Sequence, residues 1–196
     1  MTMILATIVA APLTLATVPV MAPAMPRHTV ATRAAAAALP PLCGPSARVT
    51  FREGAPVDVY TVENLSPGDW AIAAVDIGLI GSAGRLVFDT VPGGAGRNVA
   101  QPFRAFPGEA ALADMPLVPD GAEAMALSFA AFPTGARFQF SIDMDDRLAG
   151  WGTTVQGSEI EGATVTVTFV AGERRSTLSA AFDARAVAEP LTACLG

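Results

Sequence analysis

The sequence predicts an all-β fold, an antiparallel β-sandwich of about nine strands, from three observations. From Val49 onward, short apolar runs alternate with clusters of Gly, Pro, Asp and Ser at roughly ten-residue spacing, the punctuation of a sandwich or barrel rather than of βαβ units. Within the runs the apolar positions recur every second residue, so one face is dry and the other wet. No segment of the domain requires a long helix.

Residues 1–24 read as a signal peptide. Met3 to Met25 holds no charged residue and resembles a secretory apolar core, and Ala22-Pro23-Ala24 is a small-x-small site of the kind signal peptidase accepts. Two other readings stay open: an uncleaved membrane anchor, or a start at Met25, with Arg27 and Arg33 preceding a short apolar core from Ala34 to Leu39. All three export the domain, so the expected location is secreted, periplasmic or cell-surface. Residues 25–47 then form the remainder of the leader, and 48–196 the β-domain.

Cys43 and Cys194, the 2 cysteines, flank that domain, and in an oxidising compartment this placement suggests a disulfide tying its ends together. For so long a loop the chain-entropy model allows roughly 4 to 5 kcal/mol. The alternative is that Cys43 leaves with the leader and Cys194 stays a thiol.

The strand candidates, in order, are Arg48–Glu53, Asp58–Asn64, Trp70–Leu79, Arg85–Thr90, Val99–Phe106, Glu123–Phe132, Arg137–Met144, Ala163–Ala171 and Ser176–Asp183. Turns are marked by Ser66-Pro67-Gly68-Asp69, Gly81-Ser82-Ala83-Gly84, Pro92-Gly93-Gly94-Ala95-Gly96, Pro119-Asp120-Gly121, Pro133-Thr134-Gly135 and Ala171-Gly172-Glu173. In Thr164–Val170 the threonines mark a wet face and Val165, Val167 and Phe169 an inner one. The Ala-rich window Gly108–Met115 has room for one short helical turn. Asn64, before a turn, suits a side chain that caps the loop through backbone amides.

Composition excludes several chemistries. All 18 acidic residues lie at or after Glu53, while Arg27 and Arg33 lie in the leader, so the domain is more acidic than the chain's net −6 and repels nucleic acid and anionic lipid. A membrane contact is expected only through an uncleaved leader. All 12 basic residues are Arg, which removes Schiff-base chemistry and a P-loop lysine. The single His28 lies in the leader, leaving the domain without an imidazole for a Ser-His or Cys-His system or for the usual zinc ligation.

One stretch carries chemistry. Phe138, Phe140 and Ile142 share a face of a strand that ends in Asp143, Asp145 and Asp146, three carboxylates within four residues. With Glu159 or Glu161 from the next loop, this cluster is a candidate calcium site, because calcium takes six to eight oxygens and alternate carboxylates supply two or three. The competing reading is a solvated strand end with Arg147 neutralising one charge. A carboxylate-pair glycoside hydrolase, with Asp143 or Asp145 acting with Glu159, is a further alternative, weakened by an aromatic content of only 7%. Trp151, between two glycines and near the acids, is the candidate surface-contact side chain, against a Trp that covers the sandwich end.

Val49–Pro56, Leu86–Asp89, Gln101–Phe103, Phe140–Asp146 and Gly157–Ala163 together resemble small secreted bacterial proteins of the "aggregation factor core" type, across roughly Val49 to Asp183. That resemblance implies a calcium-binding β-sandwich acting in adhesion outside the cell, with no catalytic motif. The function expected is thus an exported adhesion or surface-binding module, a non-enzyme, with calcium as its cofactor and an extracellular protein or polysaccharide as its partner. A metal-free assembly subunit that pairs through exposed sheet edges into homo-oligomers is the alternative.

Overall fold

The computed structural model describes residues 42–54, 58–96, 99–148 and 155–193. Residues 38–196 form one unit. The predicted signal peptide lies outside the described residues, as do Trp151 and Cys194. Among the described residues there is no helix, and thirteen strand segments replace the nine expected.

The strands are β1 (Leu42–Arg52), β2 (Val59–Asn64), β3 (Ala71–Gly78), β4 (Val87–Phe88), β5 (Arg104–Ala105), β6 (Ala111–Leu112) and β7 (Ala124–Ala131). They continue with β8 (Arg137–Ser141), β9 (Met144–Asp145), β10 (Thr164–Ala171), β11 (Arg174–Ala181), β12 (Val187–Ala188) and β13 (Leu191–Ala193). One sheet runs β12-β1-β2-β8-β5, with β13 also on β1; a second runs β11-β10-β3-β7-β6; a small ribbon pairs β4 with β9. All of the pairings are antiparallel.

The long strands fall where period-two alternation is strong. In β10, Val165, Val167 and Phe169 are fully buried, as the alternation requires. The extra segments are β6, β9, β12 and β13, two or three residues each, too short to register as a period; β9 splits off at the end of the strand expected over Arg137–Met144. The helical turn envisaged over Gly108–Met115 does not form; β6 lies there and pairs Ala111 with Ala131 on β7. β1 also starts earlier than expected, at Leu42.

Both sheets contribute to a single core. Tyr60 on β2 stacks on Phe140 of β8 with ring centroids 4.9 Å apart, and Phe129 on β7 meets Phe138 of β8 edge-on at 5.1 Å. Tyr60 is wholly buried, so its hydroxyl needs a partner and donates to the Met144 sulfur at 2.9 Å. Asn64, also buried, accepts the Ser66 amide on Oδ1 and donates to the carbonyls of Trp70 and Phe132, the capping role read from its position before a turn.

Candidate metal centre

The chain from Phe138 to Asp145 changes partners midway. Through Ser141 it pairs with β2 as β8. After Ile142 it pairs with β4 as β9, setting Met144 opposite Phe88 and Asp145 opposite Val87. The Asp89 amide donates to the Asp143 carbonyl at 3.0 Å, extending this ladder by one step. Residues opposed on an antiparallel ladder share a face. Phe88 and Met144 therefore turn into the core, while Asp89, Asp143 and Asp145 turn to the other side.

There the three carboxylates converge, with one oxygen from each lying within 4.8 Å of the others, a group able to hold a metal ion. Asp89 is 2% exposed and Asp145 6%, whereas Asp143 is half-buried and opens toward solvent. Asp89 also lies within hydrogen-bonding reach of the Asp145 and Asp120 carboxyls, and burial first, then these neighbours, push it up to about 6. Its Oδ1 is buried without a hydrogen-bond partner. Burial likewise pushes Asp143 up to about 7, helped by the charges of Asp145, Asp58 and Asp89 and opposed by the Met144 amide. Asp58, buried at the rim, rises to about 6, chiefly through desolvation, although the Gly54 amide donates to it at 3.1 Å.

The turn from Val91 to Gly96 closes over these acids. Asp120 holds it, accepting the amides of Thr90 at 2.9 Å, Val91 at 3.2 Å and Ala95 at 2.6 Å; these bonds, the Thr90 amide foremost, lower its pKa. A side chain at Gly96 would fall on the carboxylate oxygens of Asp145 and Asp89, so only glycine lets the backbone run this close.

Of the acids anticipated from sequence, Asp143 and Asp145 meet, two apart on one face. Asp146 falls on the opposite parity and accepts the Leu148 amide at 2.9 Å instead. Glu159 accepts the Gln156 amide at 2.6 Å within its own turn and is not among the three acids that converge. The neutralising role envisaged for Arg147 is not taken up, because its guanidinium pairs with Glu123 at 3.1 Å. Asp89 is the member of the group that sequence reasoning missed. Its signal was present: Leu86-Val87-Phe88-Asp89 is a second apolar run ending in a carboxylate. Cys43 lies at the start of β1, and the β1–β13 ladder sets its neighbour Leu42 opposite Ala193, the residue before Cys194. No cysteine among the described residues is free.

No protein-family model, curated protein or solved structure matches this chain.

Proposed function

We propose that the protein is an exported adhesion or surface-binding module, a two-layered β-sandwich whose acidic centre takes calcium through Asp89, Asp143 and Asp145. The observation that carries this reading is the Asp89 carboxylate, buried to 2% exposure with an oxygen that has no partner and with two like-charged neighbours in reach. Such crowding is relieved by protons or by a cation. Oxygen-only donors favour a hard cation over zinc or copper. Three carboxylates on one face suit calcium's larger, less regular shell better than magnesium, which keeps most of its waters. The half-buried Asp143 leaves a side open for water or for an acidic group on a partner.

A Cys43–Cys194 bridge belongs to the same reading, since β1 and β13 already bring the flanking residues together. No catalytic pair is assigned, and the partner class is an extracellular protein or polysaccharide. The test is a calcium titration followed by melting: an ion at 100 times its Kd adds roughly 2.7 kcal/mol. Wild type should gain that stability and Asp143→Asn should not, while beads coated with wild type should clump in calcium and disperse in chelator. Equal melting with calcium and with chelator would remove the metal; clumping indifferent to chelator would remove its role in adhesion.

A further inference from the structure

Alternation on the first sheet sends Val49, Phe51, Tyr60, Val62, Phe138 and Phe140 into the core and the residues between them to the opposite face. The register sets that outer face in rows. Arg48, Glu63 and Arg137 lie side by side across β1, β2 and β8, and Thr50, Thr61 and Gln139 form the next row. A third row runs from Arg52 through Val59 and Ser141 to Arg104 on β5. Phe106, two residues on from Arg104, continues the ladder with a 2.9 Å bond from its amide to the Gln139 carbonyl. Its half-buried ring therefore faces outward too, at the end of the middle row.

This face is positive on an acidic chain. It holds four of the 12 arginines and, of the 18 acids, only Glu63 and Glu189. Arg48 pairs with Glu189 at 2.8 Å, but Arg52, Arg104 and Arg137 are exposed and have no ion pair among the described residues. Strand spacing sets Arg48 and Arg137 about 10 Å apart, and the rise along β1 sets Arg48 and Arg52 about 13 Å apart. Between them lies the neutral row, in which the Gln139 side-chain amide donates to the Thr61 hydroxyl at 3.0 Å. Beside it Pro107, Gly108, Glu109, Arg137 and Gln139 line a hollow of about 280 Å³.

We propose that this face binds an acidic polysaccharide, a chain of hydroxyl-rich sugars that carry carboxylates at intervals. It narrows the partner class of the adhesion reading, on which it rests for exposure outside the cell. Guanidinium forks take carboxylates in two parallel bonds. The neutral row and Glu109 meet sugar hydroxyls, and Phe106 offers its ring to the apolar face of a sugar. Spacing selects against other polyanions. Nucleic acid carries a charge about every 3.4 Å along each strand, too dense for arginines this far apart, and Glu109 would repel it. An anionic lipid surface calls for large apolar side chains that insert, and among the described residues this face exposes none.

Isothermal titration of the purified full chain with oligogalacturonate, in chelator and at low salt, tests this. Wild type should bind it, bind its neutral methyl ester at least about tenfold more weakly, and lose affinity as salt rises. The double variant Arg104→Gln with Arg137→Gln should weaken binding at least about tenfold, and Arg52→Gln, at another corner, should weaken it too. Arg175→Gln, on β11, should bind as wild type does, and all should keep the circular dichroism spectrum. No binding by wild type overturns the proposal, as does equal binding of the methyl ester or wild-type affinity in both well-folded arginine variants. Tighter binding of a single-stranded oligonucleotide would assign the face to charge alone and overturn it as well. Chelator keeps this face separate from the acidic centre: failure here beside an intact calcium response in melting removes the polysaccharide and spares the metal.

Discussion

Asp89 and Asp143 face one another across an antiparallel ladder, joined by a backbone hydrogen bond of 3.0 Å from the amide of one to the carbonyl of the other. Like charges directly opposed on a sheet face are destabilising. Here the opposition is sharpened by burial and by Asp145 diagonally beside them. The pair can persist only if something positive, proton or cation, sits between.

Replacing Asp89 with Asn removes one charge from this group while preserving its shape. The metal-free variant should melt at or above the wild-type temperature at pH 8, and its response to saturating calcium should fall from roughly 2.7 kcal/mol toward zero. Scanning calorimetry with calcium or chelator reads both. A variant that keeps the full calcium response would remove Asp89 from the ligand set.

The acids also set a pH dependence. Asp58 and Asp89 are raised to about 6 and Asp143 to about 7, so the fold holds their protonated forms more tightly than the unfolded chain does. Their contribution is full below the ordinary carboxylate value of 3.8 and is lost as pH rises through 6 and 7. In chelator, the melting temperature should therefore fall between pH 5 and pH 8. Calcium should cancel that fall, because it binds the deprotonated group. A flat profile in chelator would mean that the acids are already neutralised.

Gly96→Ala sets a methyl group against the Asp145 and Asp89 carboxylates. Overpacking of this kind costs about 1–3 kcal/mol, and displacement of the turn should blunt the calcium response too. Urea denaturation measures the first effect and calcium titration the second. Wild-type values in both would show that the turn yields freely.

In the core, Phe140→Ala deletes the ring on which Tyr60 stacks and should cost about 3–5 kcal/mol. Tyr60→Phe keeps the stack and loses only the hydroxyl bond to Met144, so its cost should be near 1 kcal/mol. Chemical denaturation of the two variants separates ring from hydroxyl.

Reduction with a thiol should lower stability by about 2–5 kcal/mol if Cys43 and Cys194 are bridged. Altered gel mobility on reduction is the direct check.

Where alternation runs for eight residues, as in Thr164–Ala171, the sequence is enough to locate the strand and its inner face, because period two is a direct image of the pleat. The same rule set Asp143 and Asp145 together and should have excluded Asp146, which lies an odd number of residues from both. Asp89 was harder. Its proximity to Asp143 depends on β4 pairing with β9, a two-residue ladder between segments more than fifty positions apart, and no local period encodes such a choice. The fates of Glu159 and Arg147 were settled by the Gln156 amide and by Glu123, neighbours that folding alone supplies.

The partner change at Ile142 has a mechanical meaning. One continuous backbone carries both the acidic rim and the ladder to β2, so a tug on the rim along the chain loads the five pairs from Val59–Ser141 to Glu63–Arg137 in shear. They would have to slip together rather than peel singly, which makes the stretch from Phe138 to Asp145 a tether between the rim and the aromatic core.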